Sequence, residues 1–328
     1  GVYEFLRNDV LDARNYFEAD VATYKRNQFG FAAGGPIIKQ KTFWFFNYEG
    51  LRDIKGASAL ATVPTAAMKA GDLSSALTGN TINLCGTGGP ANLNFDSGQL
   101  FDPGTLGYLT CPAGSAGAGQ TILVGTPYVG NMITSINPVA QRVLDTDPFP
   151  EPNRDDFYNF INTDPRTRND DLFVARIDHT LGPNDRLMGR YFLGDSKTIS
   201  PVGGFTSLPS FREKYIFRGH NLALSWTRNF GPTLLNEARF GFQRESSSVL
   251  CGECPREEGF MAGFGIENLS AFGPEFEGYP LFGISNFSSV GDSPYRPSVY
   301  PDMVEKFQDN LTWVHGKHTF VVGGDLQF

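Results

Sequence analysis

The sequence predicts an all-β fold built from antiparallel hairpins, on three observations. The 328 residues include 38 Gly, 21 Pro and 29 Phe but only 19% charged residues, a mixture that favours strands, turns and long connections over helices. Segments of about ten residues alternate between apolar and polar side chains, as half-buried strands do. These segments come in pairs joined by short turns, which is typical of hairpins.

Nine strands are expected from the alternation. In the hairpin of residues 171–195, for example, Phe173 and Ile177 lie on one face, whereas Arg176 and Asp178 lie on the other. A tilted strand needs about ten residues to cross a bilayer. The nine strands are predicted near residues 2–7, 27–38, 42–52, 171–181, 186–195, 219–229, 235–245, 304–314 and 319–328.

The predicted connections alternate between short and long. Turns of three or four residues close the hairpins at 39–41, 182–185, 231–233 and 315–318. The links between hairpins are long loops at 8–26, 53–170, 196–218 and 246–303. Compact soluble domains rarely contain structureless loops beyond about 12 to 15 residues. Short periplasmic turns and long extracellular loops are typical of outer-membrane barrels, so we predict an antiparallel transmembrane β-barrel of which this chain contains about nine strands.

Charge and hydropathy narrow the class of partner. The net charge is −8, so the chain lacks the basic excess that binds nucleic acid non-specifically, and nucleic acid is excluded as a partner. No run approaches the roughly 18 to 20 apolar residues of a spanning helix, and the mean hydropathy is −0.24. Neither value excludes a membrane barrel, because a barrel strand exposes only every second side chain to lipid.

Short motifs run through the chain in a fixed order. They are Tyr3–Asp9, Leu11–Phe17, Arg26–Gly30, Gly34–Ile37, Thr42–Arg52, Asn137–Ala140, Arg176–His179, Asp185–Leu187, Gly189–Tyr191, Lys317–Phe320 and Gly323–Asp325. Together they resemble the Oar-like, carboxypeptidase-regulatory-domain class of TonB-dependent receptors. Such receptors have an N-terminal carboxypeptidase-like sandwich, a plug inside the lumen and a barrel of about 22 strands. The match covers barrel only, so we expect the plug, the TonB-contacting segment and the later strands to be absent from this chain.

The resemblance implies a function in the bacterial outer membrane. It implies binding of a ligand too large or too scarce for porins, followed by active uptake. Outer-membrane lipid is one expected partner, and the TonB complex is another, through the N-terminal region of the parent protein. The ligand stays open among siderophores, oligosaccharides, peptides and a protein cargo for export, since ligand contacts would lie in the loops.

Charged residues share the polar row of the predicted strands. They are Glu49, Arg176, Asp178, Arg190, Glu237, Arg239 and Asp325. A barrel would point this row into a polar lumen, where charge-assisted hydrogen bonds would hold the plug. The alternative is solvated charge on a soluble sandwich.

Aromatic residues occupy the opposite row near strand ends. They are Trp44, Tyr48, Tyr191, Trp226 and Trp313. We interpret them as the girdles that lie at the two membrane interfaces. Ordinary core packing is the alternative.

The four cysteines form two groups, Cys85 with Cys111 and Cys251 with Cys254. An even number suits an oxidising compartment, so we predict that Cys251 pairs with Cys254 or that the loop cysteines pair with one another. Free structural thiols are one alternative. Metal or redox chemistry is another, but zinc would need two further ligands.

Catalytic motifs are missing from the sequence. The four His residues are scattered over three hairpins, no acidic run matches a calcium loop, and neither a Gly-x-Ser-x-Gly elbow nor a His-Glu-x-x-His motif occurs. We therefore expect no enzyme, cofactor or metal. The alternative function is a secreted or surface β-rich binding module, a carbohydrate binder or adhesin without transport, which would need no detergent to stay in solution.

Overall fold

The computed structural model describes the chain except for residues 15, 17–20, 255 and 270–272. Two residues of the motif Leu11–Phe17 therefore lie outside the described residues. The chain divides into two compact units. The first contains residues 1–61, 161–261 and 270–328, and the second contains residues 62–160 and 262–269.

The first unit is built on a nine-stranded sheet in which every strand pairs antiparallel with its neighbours in sequence. The strands are β1 Val2–Asn8, β2 Tyr24–Ile38, β3 Thr42–Gly56, β4 Pro165–Thr180, β5 Asp185–Ser200, β6 Glu213–Gly231, β7 Leu234–Cys251, β8 Ser298–His315 and β9 His318–Gln327. This meander confirms the predicted all-β, antiparallel fold class. The sheet is open, with β1 and β9 at its two edges.

The connections leave the sheet at the two opposite ends of its strands. One end carries the tight turns at 39–41, 181–184, 232–233 and 316–317 and is called here the turn rim. The other end carries the connections at 9–23, 57–164, 201–212 and 252–297 and is called the loop rim. Positive φ angles of 63° at Gln40 and 61° at Gly316 let the chain reverse within two of the tight turns.

Several strands run further toward the loop rim than the alternation predicts. For example, β4 begins at Pro165 rather than near residue 171, and β7 continues to Cys251 rather than ending near 245. Both faces are polar there, as Arg168 and Asn169 illustrate, so the ladder continues where the alternation in polarity has stopped. The predicted loops 8–26, 53–170, 196–218 and 246–303 are accordingly too long at their ends.

The register separates the sheet into two faces. The apolar face comprises the even-numbered residues of β1, β3, β6, β7 and β9 and the odd-numbered residues of β2, β4, β5 and β8. One row of this face crosses the sheet through Trp44, Ile177, Gly189, Leu224, Phe240 and Phe307. The remaining strand residues form the polar face.

The second unit has a small core of its own. The disulfide Cys85–Cys111 packs with the buried Leu93, and Phe95 and Ile122 pack against this group. The disulfide stabilises a segment that has few apolar residues with which to form a core.

The second unit contains a short helix, Pro138–Asp145. The Asn137 side chain caps its start by accepting a hydrogen bond from the Val139 N–H at 2.9 Å, and Pro138 suits the first helical position. Within the described residues, no helix has both the length and the apolar character needed to cross a membrane.

Candidate functional site

The seven charged residues predicted to share one row all lie on the polar face: Glu49, Arg176, Asp178, Arg190, Glu237, Arg239 and Asp325. Short pairs neutralise most of them. The Arg176 guanidinium donates to both carboxylate oxygens of Asp178 at 2.7 Å, and Arg239 donates to Glu237 at 2.7 Å. Asp325 lies 3.1 Å from the Lys306 ammonium. The face is therefore polar without carrying a large excess of either charge.

A cavity of about 420 Å³ opens on the polar face near the loop rim, between β2, β3 and β4. We call it the mouth cavity. It is lined by Tyr24, Arg26, Gln28, Glu49, Leu51, Asp53, Lys55, Arg166, Arg168, Asp170 and Leu172. These residues converge because they occupy alternate positions on three paired strands, with Arg26 opposite Asp53 and Asp53 opposite Arg168.

Sequence reasoning identified only Glu49 among the residues of the mouth cavity. Seven of the others lie beyond the predicted strand ends, where no alternation in polarity marks the strand: Tyr24, Arg26, Asp53, Lys55, Arg166, Arg168 and Asp170. The available signal was charge at every second position, as in Arg166, Arg168 and Asp170. Such spacing places the three side chains on one face of a strand.

Hydrogen bonds hold the acidic groups of the mouth cavity in place. Arg168 Nε donates to both carboxylate oxygens of Asp170 at 3.0 and 2.9 Å. Glu49 accepts from the Tyr3 hydroxyl at 2.7 Å and from Gln28 Nε2 at 2.8 Å. These contacts orient the carboxylates before any ligand arrives.

Asp53 and Arg166 keep unused hydrogen-bonding capacity inside the cavity. They face each other, with 3.3 Å between Arg166 Nη2 and Asp53 Oδ2. Asp53 is only 7% exposed, yet its Oδ1 has no hydrogen-bond partner among the described residues, and neither has Arg166 Nε. An unsatisfied buried polar group costs about 1–3 kcal/mol. Both atoms are enclosed by protein, so a molecule in the cavity would contact the more accessible polar groups around them.

The mouth cavity carries nearly balanced charge. Its cations are Arg26, Lys55, Arg166 and Arg168, and its carboxylates are Glu49, Asp53 and Asp170, so the lining has a net charge of +1 from four positive and three negative groups. Arg26 donates to the neutral Gln28 at 3.0 Å and has no ion pair among the described residues. The lining therefore offers both donors and acceptors to a polar ligand.

The five predicted girdle residues, Trp44, Tyr48, Tyr191, Trp226 and Trp313, all lie on the apolar face. The three tryptophans lie toward the turn rim. Both tyrosines direct their hydroxyls toward the loop rim, since Tyr48 donates to Asp171 at 2.6 Å and the Tyr191 hydroxyl lies 2.6 Å from His220 Nδ1.

On the apolar face of three strands, eight residues separate a tryptophan from a charged residue. The pairs are Trp44 with Arg52 on β3, Trp226 with Arg218 on β6, and Trp313 with Glu305 on β8. The band between them is uncharged on β3 and β6, whereas on β8 it is interrupted by Asp309, which accepts a hydrogen bond from Asn236 Nδ2 at 2.7 Å. Eight residues of strand span about 26 Å, or about 20 Å in height at the 35–45° tilt of barrel strands. The apolar band of outer-membrane barrels is about 25 Å tall.

The family model described as Outer membrane beta barrel domain matches residues 1–328, the whole chain. The chain belongs to this outer-membrane β-barrel family. This membership confirms the expected location in the bacterial outer membrane. No curated protein and no solved structure matches the chain.

An outer-membrane barrel needs one face that meets hydrocarbon and one that meets water. The apolar face of this outer-membrane barrel protein, with its eight-residue band, has the composition for the first role. The polar face and its mouth cavity have the composition for the second. The long loops of outer-membrane barrels are extracellular, which predicts that the mouth cavity lies near the outer end of the strands.

The loops of this outer-membrane barrel protein contain two disulfides, Cys85–Cys111 and Cys251–Cys254, and no described cysteine is free. Cys254 Sγ lies 3.7 Å from the Asp292 carboxylate. Because both neighbouring cysteines are joined to each other, this group offers no thiolate to a metal ion. Burial raises the pKa of Asp292, although the Tyr279 N–H donates to its carboxylate at 2.7 Å.

Proposed function

We propose that this outer-membrane barrel protein is the barrel of a TonB-dependent receptor of the Oar-like class. It binds a polar ligand at the outer end of the polar face and imports it actively, and it is not an enzyme. The mouth cavity carries the proposal. A ligand from outside the cell would meet this cavity first, and its lining offers cationic donors and carboxylate acceptors from three strands.

The lining of the mouth cavity favours a ligand rich in hydroxyl, amide or carboxylate groups. Among the described residues Arg26 and Lys55 have no carboxylate partner and so supply donors, and Glu49 and Asp170 supply acceptors. Oligosaccharides, peptides and siderophores all carry such groups. A specific site that holds its ligand slows passive passage, so energy from the TonB complex is the expected means of release inward.

Uptake measurements in intact cells test the proposal. A strain that lacks the gene and a complemented strain would be given radiolabelled siderophores, oligosaccharides and peptides, with and without TonB. We expect one ligand class to accumulate only when both the protein and TonB are present. Accumulation that needs the protein but not TonB would make it a passive channel and contradict the proposal.

A matched pair of variants assigns binding to the mouth cavity. Asp53→Asn keeps the shape of the side chain but removes its charge, and we expect at least tenfold weaker ligand binding to cells, since hydrogen bonds to charged groups contribute about 1.5–3 kcal/mol. Asp178→Asn removes the same charge from the same face near the turn rim and should leave binding within about twofold. Equal losses in both variants would count against the cavity.

The alternative of a secreted or surface binding module requires protein to cover the apolar face. Trp44, Leu224 and Phe307 on this face are 39%, 44% and 46% exposed. Together with membership of an outer-membrane family, this exposure favours a lipid partner over the alternative. A monodisperse monomer in buffer without detergent would reverse that preference.

A further inference from the structure

Three cations meet on the apolar face where its band ends near the loop rim. Lys197 on β5 pairs with Ile216, two residues from Arg218 on β6. Arg218 pairs with Ser246, two residues from Arg244 on β7. Diagonal neighbours of this kind lie about 7–8 Å apart. We call these three residues the basic cluster.

The basic cluster keeps a positive charge that the protein does not neutralise. Arg218 Nε donates to Asp195 at 2.7 Å. Lys197 and Arg244 are exposed, and neither has an ion pair among the described residues. Glu305 on β8 is also a diagonal neighbour, because it pairs with Phe242, two residues from Arg244. Three cations with Asp195 and Glu305 leave a net charge of +1, although the whole chain carries −8.

Apolar surface continues from the basic cluster toward the turn rim on the same strands. Tyr191, Leu222 and Phe242 form one row below the cluster. Further down lies a groove of about 670 Å³ that Leu224 and Phe240 help to line, and Gly189 leaves it open because it has no side chain. Cationic and apolar surfaces are thus stacked in the order of a lipid headgroup and its acyl chains.

We propose that the basic cluster binds the phosphate of a phosphorylated lipid of the outer leaflet, whose acyl chains follow the apolar band into the groove. A phosphate monoester carries about −1.5 to −2 at neutral pH, so it is attracted to the net positive charge of the cluster. Long loops identify the loop rim as the extracellular side, so the cluster lies at the level of outer-leaflet headgroups. A soluble anion would gain nothing from the groove. This inference rests on the outer-membrane location and is independent of the transported ligand.

Native mass spectrometry of the protein purified from outer membranes tests the inference. Delipidated protein in dodecylmaltoside would be titrated with a bis-phosphorylated lipid A and with the same glycolipid after enzymatic removal of its phosphates. We expect only the phosphorylated form to bind. This binding should persist when inorganic phosphate is added as a soluble competitor at about 10 mM. Full displacement by inorganic phosphate would show a general anion site and overturn the proposal.

Variants separate the basic cluster from general charge effects. Each cation near an anionic headgroup contributes about fivefold in affinity, so the triple change Lys197→Gln, Arg218→Gln and Arg244→Gln should weaken lipid binding about a hundredfold. The control, Arg186→Gln, Arg190→Gln and Lys306→Gln, removes the same charge from the polar face of β5 and β8. We expect the control to bind within about twofold of the unchanged protein.

Single variants keep the test decisive if the triple variant fails to fold. Arg244→Gln should weaken binding about fivefold, whereas Arg244→Lys, which keeps the charge, should restore most of it. Equal binding by the unchanged protein, the triple variant and Arg244→Gln would overturn the proposal. So would an equal loss in the polar-face control.

Discussion

Replacing Leu222 by arginine places a charge halfway up the apolar band of β6. Leu222 lies four residues from Trp226 and four from Arg218, and it pairs with Tyr191 and Phe242. Four residues of a strand tilted by 35–45° correspond to about 10 Å of height. The guanidinium must therefore snorkel about that distance to reach water on either side.

The expected cost follows from this central position. Arginine on the lipid face at the midplane destabilises an outer-membrane barrel by about 2–4 kcal/mol. The neighbouring change Asn221→Arg introduces the same side chain on the polar face, opposite Phe192 and Gln243. Because that face meets water, the free energy of unfolding should change by about 0.5 kcal/mol or less.

Urea titrations of the protein folded into lipid bilayers measure both changes, with tryptophan fluorescence as the signal. We expect the midpoint of Leu222→Arg to fall well below that of the unchanged protein and the midpoint of Asn221→Arg to stay close to it. Equal shifts would mean that the two faces meet similar surroundings. A larger shift for Asn221→Arg would show that the assignment of the faces is inverted.

Three further predictions concern the loops. Thiol titration of unreduced protein should find no reactive cysteine, and free thiols would contradict the disulfides. The double change Cys85→Ser and Cys111→Ser should destabilise the second unit by about 3.5 kcal/mol, as expected for a closed loop of about 26 residues. Burial raises the pKa of Asp292 above its unfolded value, so the connection 252–297 should be most stable below the ordinary carboxyl pKa and should lose stability as the pH rises through the raised pKa. Limited proteolysis at a series of pH values should show this loss, and Asp292→Asn should abolish the pH dependence. A membrane-impermeant maleimide should label Val129→Cys on intact cells, since Val129 is 90% exposed in the longest connection, but Lys317→Cys in a tight turn only after permeabilisation; the reverse pattern would invert the orientation.

Alternation in the sequence identifies the strands where their two faces meet different surroundings. Between Phe173 and Ile177 every second side chain is apolar, and this part of β4 was predictable. Between Pro165 and Asp171 polar residues occupy both faces, although the ladder with β3 continues. Alternation in polarity therefore identifies the membrane-spanning part of a strand. It does not detect the extension of the strand toward the loop rim.

The mouth cavity was unpredictable for the same reason. Arg26, Asp53 and Arg168 come from three strands, two of them separated by the connection 57–164, and meet only through the register. Nothing in a single sequence fixes that register at polar positions, because neither face there is buried against a core. Glu49 was predictable since it continues an alternating segment.

The register also shows by how much the strands tilt, because it gives the shift of the apolar band from one strand to the next. The sequence alone does not reveal this shift. Trp44 on β3 shares a row with Phe307 on β8, yet the tryptophan of β8 is Trp313, six residues closer to the turn rim. The outer charged residues shift equally, because Arg52 shares a row with Val299 and Glu305 lies six residues closer to the turn rim, although Asp309 places a further charge inside the band on β8. Six residues over five strand steps give about 4 Å of shift for each interstrand spacing of about 4.8 Å. This ratio corresponds to a tilt of about 40°, within the 35–45° of membrane barrels. Both edges of the apolar band thus lie level in a bilayer only if the strands are tilted as they are in a barrel, although this sheet is open.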